Sequence, residues 1–199
     1  MIKRTKKQIR QLRGTRVLVA RTVGGLEELD DKIKAKGGAA TLVPLDVTDG
    51  PGIDRLGAAL YERFGRLDVL LGNAGILGVL SPIGHIDPAV FDHVMAVNVT
   101  ANWRLIRSLD PLLRRSDAGR AIFVTSGIAN KGVPYWSAYA ASKAALDVLA
   151  TTYAAEVAHT AQRIVVGAAP RNSSPASPRR RSESRRTRPK RPSHSSAER

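Results

Sequence analysis

Along residues 16–166 short apolar runs alternate with amphipathic stretches, and that alternation restricts the fold more than any other feature of the chain. Arg16–Arg21, Ala40–Leu45, Leu67–Leu71, Ala121–Thr125 and Ile164–Val166 are short runs of the kind that form buried strands. Between them, Leu26, Leu29 and Ile33 recur at helical spacing ahead of Gly37-Gly38. Ile53, Leu56, Leu60 and Phe64 make a second stripe that Gly65 closes. Asp87-Pro88 supplies an N-cap and a first-turn proline, and predicts a helical region that runs, with an interruption, to about Arg115. A long helix is expected near 135–159. Strands alternating with helices predict βαβ units and a parallel sheet covered on both faces. Ligands then bind beyond the carboxyl ends of the strands. Asp46, Asn73–Gly75 and Ser126 each follow such an end.

The predicted long helix carries Tyr139 and Lys143, four residues apart and therefore on one face, one turn from each other. A cation held beside a phenol favours its ionised form, so the pair is a candidate proton donor for carbonyl chemistry. Tyrosine and lysine at this spacing also occur as ordinary surface pairs. Ser126, thirteen residues earlier, tips the reading to catalysis. Asn98 reads equally as a buried asparagine satisfying backbone in a helix kink. Asn73-Ala74-Gly75 reads as a strand-to-loop turn that lets a ligand approach the backbone.

Charge separates the chain into three parts. The net charge of +15 resides at the ends: residues 1–16 carry +7, residues 167–199 carry +8, and residues 17–166 balance to zero. The pI near 11.0 therefore describes the tails and not the domain. Residues 1–15 are expected to form a basic arm, 16–166 the domain, and 167–199 a disordered tail. That tail has no Val, Ile, Leu, Met, Phe, Trp or Tyr with which to build a core. Without cysteine there is no disulfide framework and no thiolate nucleophile or metal site, and four scattered histidines add no metal centre. No apolar run reaches the length of a membrane span, and the run after the basic start is too short for a signal peptide, so the cytoplasm is the expected compartment.

From about Arg16 to Arg163 these motifs stand in the order of the short-chain dehydrogenase/reductase family, which the chain resembles: Asp46-Val47, Asn73-Ala74-Gly75, Asn98, Ser126, then Tyr139 and Lys143. The resemblance implies an α/β Rossmann-like three-layer sandwich with a parallel sheet. It implies an NAD(P)-dependent oxidoreductase that interconverts an alcohol and a carbonyl by hydride transfer. Tyr139 would be general acid and base, with Lys143 supporting it and bonding the nicotinamide ribose. Ser126 would donate to the substrate oxygen, and Asn98 would hold a water linking Lys143 to solvent. Asp46 and Val47 would contact the adenine, with Asn73, Ala74 and Gly75 forming the cofactor turn. Arg21 stands where a cation can accommodate a 2′-phosphate, which tilts the expectation to NADP over NAD; a plain surface arginine is the even alternative. The family's homo-oligomers form through helices that here fall near 88–115 and 135–159.

The chain also departs from the family. A strand and T-G-x-x-x-G-x-G turn for the pyrophosphate would precede Arg16, and a Pro-Gly turn, lid and last strand would follow Val166. Instead come residues 1–14 and an Arg/Ser/Pro sequence. The first and last family strands are therefore expected to be missing, leaving two inner sheet edges unpaired or paired directly, and activity is expected to be impaired. Arg, Pro, Ala and Ser are what a GC-rich gene yields out of frame, so the two ends read as misframed or joined coding sequence. The other class of function is a non-catalytic remnant whose basic tails bind nucleic acid or acidic surfaces. With no aromatic residue in the tail for base stacking, such binding is expected to be non-specific charge attraction.

Overall fold

The computed structural model describes residues 14–168. The expected arm, apart from Gly14 and Thr15, and the expected tail, apart from Gly167 and Ala168, lie outside the described residues. The elements follow the alternation of the sequence: β1 (Arg16–Ala20), α1 (Val23–Lys34), β2 (Ala40–Pro44), α2 (Gly50–Phe64) and β3 (Val69–Gly72). A 3-10 turn (Ile83–His85), α3 (Pro88–Met95), a π-helical turn (Ala96–Thr100), α4 (Ala101–Leu113), β4 (Arg120–Thr125), α5 (Ser137–Glu156) and β5 (Arg163–Ala168) complete them.

All observed strand pairs are parallel, in two sheets. β1 pairs with β2 from Arg16↔Ala40 to Ala20↔Pro44. β3, β4 and β5 form the second sheet in that order, with Leu70 opposite Ala121 and Ala121 opposite Ile164. Among the described residues no pairing joins β1 to β3. Of the two outcomes expected for a sheet without the family's first strand, the edges are separate and not paired directly. On β3, Leu70 is buried, whereas Val69 and Leu71 on the opposite face are 39% and 57% exposed.

One core holds both sheets. Leu56 and Leu60 of α2, Leu109, Leu112 and Leu113 of α4, and Leu146, Ala150 and Tyr153 of α5 pack on Leu70, Ala121 and Phe123, while Val17, Val19, Val43 and Leu45 pack against that cluster. α2 and α4 approach so closely that a Cβ on Gly57 would stand 2.2 Å from Ser108 Oγ. Ser108 Oγ in turn donates to the Ile53 carbonyl (3.2 Å).

Local signals explain the helix ends. Asp49 and Asp87 cap α2 and α3 by accepting from Gly52 N–H and Ala89 N–H. Gly65 ends α2 in the left-handed conformation (φ 67°). The α1 stripe is corrected by the structure: Leu26 is buried, but Leu29 is 45% exposed. Asp30 takes the buried place, paired to Lys34 at 2.6 Å. The interruption expected before Arg115 is the π-helical turn, and it carries Asn98.

Candidate active site

The cleft lies at the carboxyl ends of β3 and β4. Asn73, Gly75, Ile76 and Leu77 form one wall, Val124, Thr125 and Ser126 the floor, and Trp136, Tyr139 and Lys143 the other wall, around a volume of about 400 Å³. Ser126 leaves the end of β4, and Tyr139 and Lys143 face inward from the first turns of α5. Ser126 and the Tyr139–Lys143 pair therefore meet with Asn73 and Gly75 in one place. Ser126 Oγ has only a long contact, accepting from Ile128 N–H at 3.4 Å, so the hydroxyl proton is available to a ligand.

Lys143 is nearly buried, and its Nζ donates to the Val124 carbonyl at 2.8 Å. The ammonium stands 5.8 Å from the Tyr139 ring centroid. Burial holds its pKa below the usual lysine range, against a smaller opposing pull from Asp147. Trp136 meets Tyr139 edge-on, with ring centroids 6.1 Å apart.

Asn98 is fully buried and its side chain is saturated. Oδ1 accepts from Ile76 N–H at 2.8 Å, and Nδ2 donates to the Ile76 carbonyl and to Ser142 Oγ, both at 2.9 Å. Ser142 Oγ donates in turn to the Tyr139 carbonyl at 2.8 Å. This chain ties the turn after β3 to the helix that carries Tyr139. Ser142 is a residue that sequence reasoning passed over, although it sits beside Lys143 and three residues after Tyr139, on the same helix face. The π-helical turn that carries Asn98 widens the backbone at the same point.

Gly75 leaves room where a side chain would intrude: a Cβ there would lie 3.2 Å from Lys143 Nζ and 3.3 Å from Asn98 Oδ1. Among the described residues only one of the three ammonium donors of Lys143 is committed, to Val124. Uncommitted N–H donors beside an open backbone turn suit ribose hydroxyls, so these residues fit the nicotinamide end of a dinucleotide.

The residues expected at the adenine end follow the strands of the other sheet. Arg21, just after β1, pairs with Asp46, just after β2, at 3.9 Å, and both side chains are well exposed. Asp46 also accepts from Thr48 N–H and Thr48 Oγ, each at 2.8 Å. Those two bonds, ahead of the charge of Arg21, hold its carboxyl below the ordinary range. Val47 beside it is half-buried, and Asn73 and Ala74 are exposed. Among the described residues no cluster of His, Cys, Asp or Glu could hold a metal ion, and no helix is long and apolar enough to cross a membrane.

Comparison with known proteins agrees with this geometry. Residues 5–180 match the family model described as short chain dehydrogenase. An uncharacterized oxidoreductase of Escherichia coli K12, YciK, is 42% identical over 103 residues, which are 50% of this chain and 41% of that protein. Sepiapterin reductase of Chlorobaculum tepidum is 33% identical over 129 residues, 64% of this chain and 52% of that protein. The chain thus spans about half the length of these curated relatives. Among solved structures, a metagenomic short-chain oxidoreductase in complex with NADP superposes with a TM-score of 0.71 at 32% identity, covering 75% of this chain and 68% of the other. NAD+-bound xylitol dehydrogenase superposes at 0.72 with 26% identity, covering 77% of this chain and 60% of the other. The fold is Rossmann-like, with parallel sheets and a partial strand complement.

Proposed function

The chain belongs to the short-chain dehydrogenase/reductase family, and from that premise we propose that it acts on an alcohol or carbonyl with NAD(P), using Ser126, Tyr139 and Lys143. The observation that carries this is their convergence with Asn73 and Gly75 on one cleft. The cofactor, when bound, supplies the hydride. The protein's own part is to place and charge the oxygen.

Ser126 Oγ donates to the substrate oxygen and holds it as negative charge develops there. Tyr139 gives its phenolic proton to that oxygen in reduction and takes it back in oxidation. The buried ammonium of Lys143, fixed by Val124, offsets the phenolate left behind and turns its remaining N–H donors to the ribose. Asn98 and Ser142 keep the Ile76 turn and the Tyr139 helix in register. A water-holding role for Asn98 falls to its carbonyl, which also accepts from Asn102 Nδ2 at 2.9 Å. Asp46 and Val47 would contact the adenine, with Ala74 at the cofactor turn. Arg21 would meet a 2′-phosphate, which favours NADP although Asp46 competes for the same guanidinium. The exposed Phe91, Trp103 and Val148 of α3, α4 and α5 support an oligomer through those helices.

The test is reduction of a carbonyl panel with NADPH and NADH by the protein and by Tyr139→Phe. The phenylalanine variant should lose roughly a hundredfold to ten-thousandfold in kcat while remaining folded. Equal turnover in both would remove Tyr139 from the chemistry.

A further inference from the structure

α5 carries an acid that the chemistry described above does not use. Asp147 lies four residues after Lys143, so the two share a helix face one turn apart. Side chains on a helix lean toward its amino end, which brings Asp147 back over the turn that holds Lys143. Asp147 is half-buried, and its Oδ1 is shut off from solvent with no hydrogen-bond partner among the described residues. Thr151 Oγ1 donates to the Asp147 backbone carbonyl at 2.9 Å and leaves the carboxylate alone. A carboxylate oxygen buried without a partner is costly, and asparagine would fill the same space without the charge. A charge held at that cost points to a task outside core packing.

Lys143 is the charge that Asp147 faces. The lysine is 3% exposed, with Nζ donating to the Val124 carbonyl at 2.8 Å and standing 5.8 Å from the Tyr139 ring centroid. Burial favours the neutral amine, and the Asp147 carboxylate opposes that from one turn behind. No salt bridge joins the two among the described residues, so the ammonium is compensated without being captured. Other charges on the elements around α5 stand elsewhere. Arg120 and Arg163 begin β4 and β5 and are exposed at the end away from the cleft. Asp92 and His93 of α3 are exposed as well. On α4, Asp110 and Arg114 are bonded to each other, Arg104 lies over the Trp103 ring, and Arg107 is exposed. The π-helical turn and the Asn73–Gly75 turn carry no charge.

We propose that Asp147 is a positioning residue of the active site: its carboxylate holds the buried Lys143 in the ammonium form from one turn away and leaves the ammonium donors to the cleft. The inference rests on the reductase reading above for the task of Lys143. An acid in direct contact with Nζ would compete for the donors that the ribose needs. One turn back, it supplies charge without taking a bond, and Asp147 itself touches neither substrate nor cofactor.

The direct measurement needs neither cofactor nor substrate. The NMR signal of Lys143 Cε, assigned by its loss in Lys143→Met, is followed against pH in the protein, in Asp147→Asn and in Asp147→Glu. Removing the negative charge disfavours the ammonium, so the midpoint in Asp147→Asn should fall by about one pH unit, and Asp147→Glu should recover most of it. Tm of Asp147→Asn should hold or rise, because the change relieves an unpaired buried charge. Thr151→Val removes a bond to the backbone of Asp147 but no charge, and should leave the midpoint in place. In carbonyl reduction by NADPH, the alkaline limb of the kcat profile should move down with the Lys143 midpoint in Asp147→Asn and return in Asp147→Glu. A midpoint unmoved in Asp147→Asn, whatever its Tm, overturns the assignment, and so does an equal movement in Thr151→Val. A moved midpoint with turnover whose alkaline limb stays in place also sinks Asp147 as a positioning residue. A moved midpoint in a protein that reduces no carbonyl would keep the coupling of Asp147 to Lys143 and count against the reductase reading instead.

Discussion

Removing the Asn98 side chain should be among the most damaging single changes in the domain, and its cost can be worked from three hydrogen bonds. Asn98→Ala deletes the acceptor for Ile76 N–H and the donors to the Ile76 carbonyl and Ser142 Oγ. Ser142 keeps its own donation to the Tyr139 carbonyl, so its hydroxyl is not orphaned. Ile76 is only half-buried at the cleft edge, and water can reach part of its backbone. Leaving a buried polar group unsatisfied costs about 1–3 kcal/mol, and the partly wetted Ile76 pair falls at the lower end of that range for each group. The small cavity left beneath the turn adds to this, for a total of about 3 kcal/mol. Urea denaturation reads the loss directly. With a slope of about 2 kcal/mol/M the midpoint should fall by about 1.5 M, with the slope unchanged. Ser142→Ala should cost less, about 1–2 kcal/mol, because Asn98 keeps both bonds to Ile76. The double variant should be less destabilised than the two single changes added together, because they share one bond. An Asn98→Ala midpoint within 0.3 M of the parent would refute the reasoning, since about 0.6 kcal/mol cannot account for three lost partners.

Acid should loosen the far end of α4. Burial pushes the Asp110 carboxyl up, but bonds from Tyr153 Oη (2.6 Å), Arg114 Nε and Gln162 Nε2 outweigh it and leave the pKa lowered. A lowered folded pKa contributes stability that is present above the ordinary aspartate value of about 4 and is lost as pH falls through the folded value. Thermal melts of the protein should therefore drop more steeply below about pH 4 than those of Asp110→Asn, and parallel curves would contradict this. Burial first, and then the hydrogen bond to Asp110 and its charge, raise the Tyr153 phenol against smaller opposing effects of Gln162 and Arg114. Its contribution holds below the free tyrosine value of about 10 and fades at higher pH, so Tyr153→Phe should flatten the alkaline limb. Arg21→Ala should weaken NADPH about tenfold and leave NADH little changed; equal losses would make Arg21 a surface residue.

Strand and helix positions were legible because periodicity reports which face is buried. The limits of β1, β2 and β4 agree with the sequence reading to within a residue, and the Asp49, Gly65 and Asp87 signals sit where their chemistry acts. The residues that meet at the candidate cleft were legible for a different reason: Asn73, Gly75 and Ser126 follow strand ends, and Tyr139 and Lys143 share a helix face. Four things were not legible. Leu29 fits the apolar spacing of α1, yet the helix turns Asp30 inward, a choice made by packing and not by period. Ser142 looks like one more small residue in an alanine-rich helix, and its bond to Asn98 comes from a distant segment. Positive φ at Tyr135 is invisible in a sequence because tyrosine has no preference for it. The bond from Ser81 N–H to the Tyr135 carbonyl is a contact between loops far apart along the chain.

The separation of the sheets divides the labour of the site. The bonds that fix Tyr139, Lys143, Asn98, Ser142 and the Ile76 turn lie within the β3–β4–β5 half and its helices. Arg21, Asp46 and Val47 belong to the β1–β2 half, joined to the rest by apolar packing and not by a strand ladder among the described residues. Apolar packing is non-directional, whereas a ladder fixes register. A perturbation that shifts one half against the other should therefore act on dinucleotide affinity before it disturbs proton transfer. Val17→Ala and Val43→Ala, which thin the packing beneath β1 and β2, should raise KM for the cofactor with little change in kcat. If both instead lowered kcat with KM constant, the proton-transfer geometry would depend on the β1–β2 sheet, and the catalytic half could not be regarded as self-supporting.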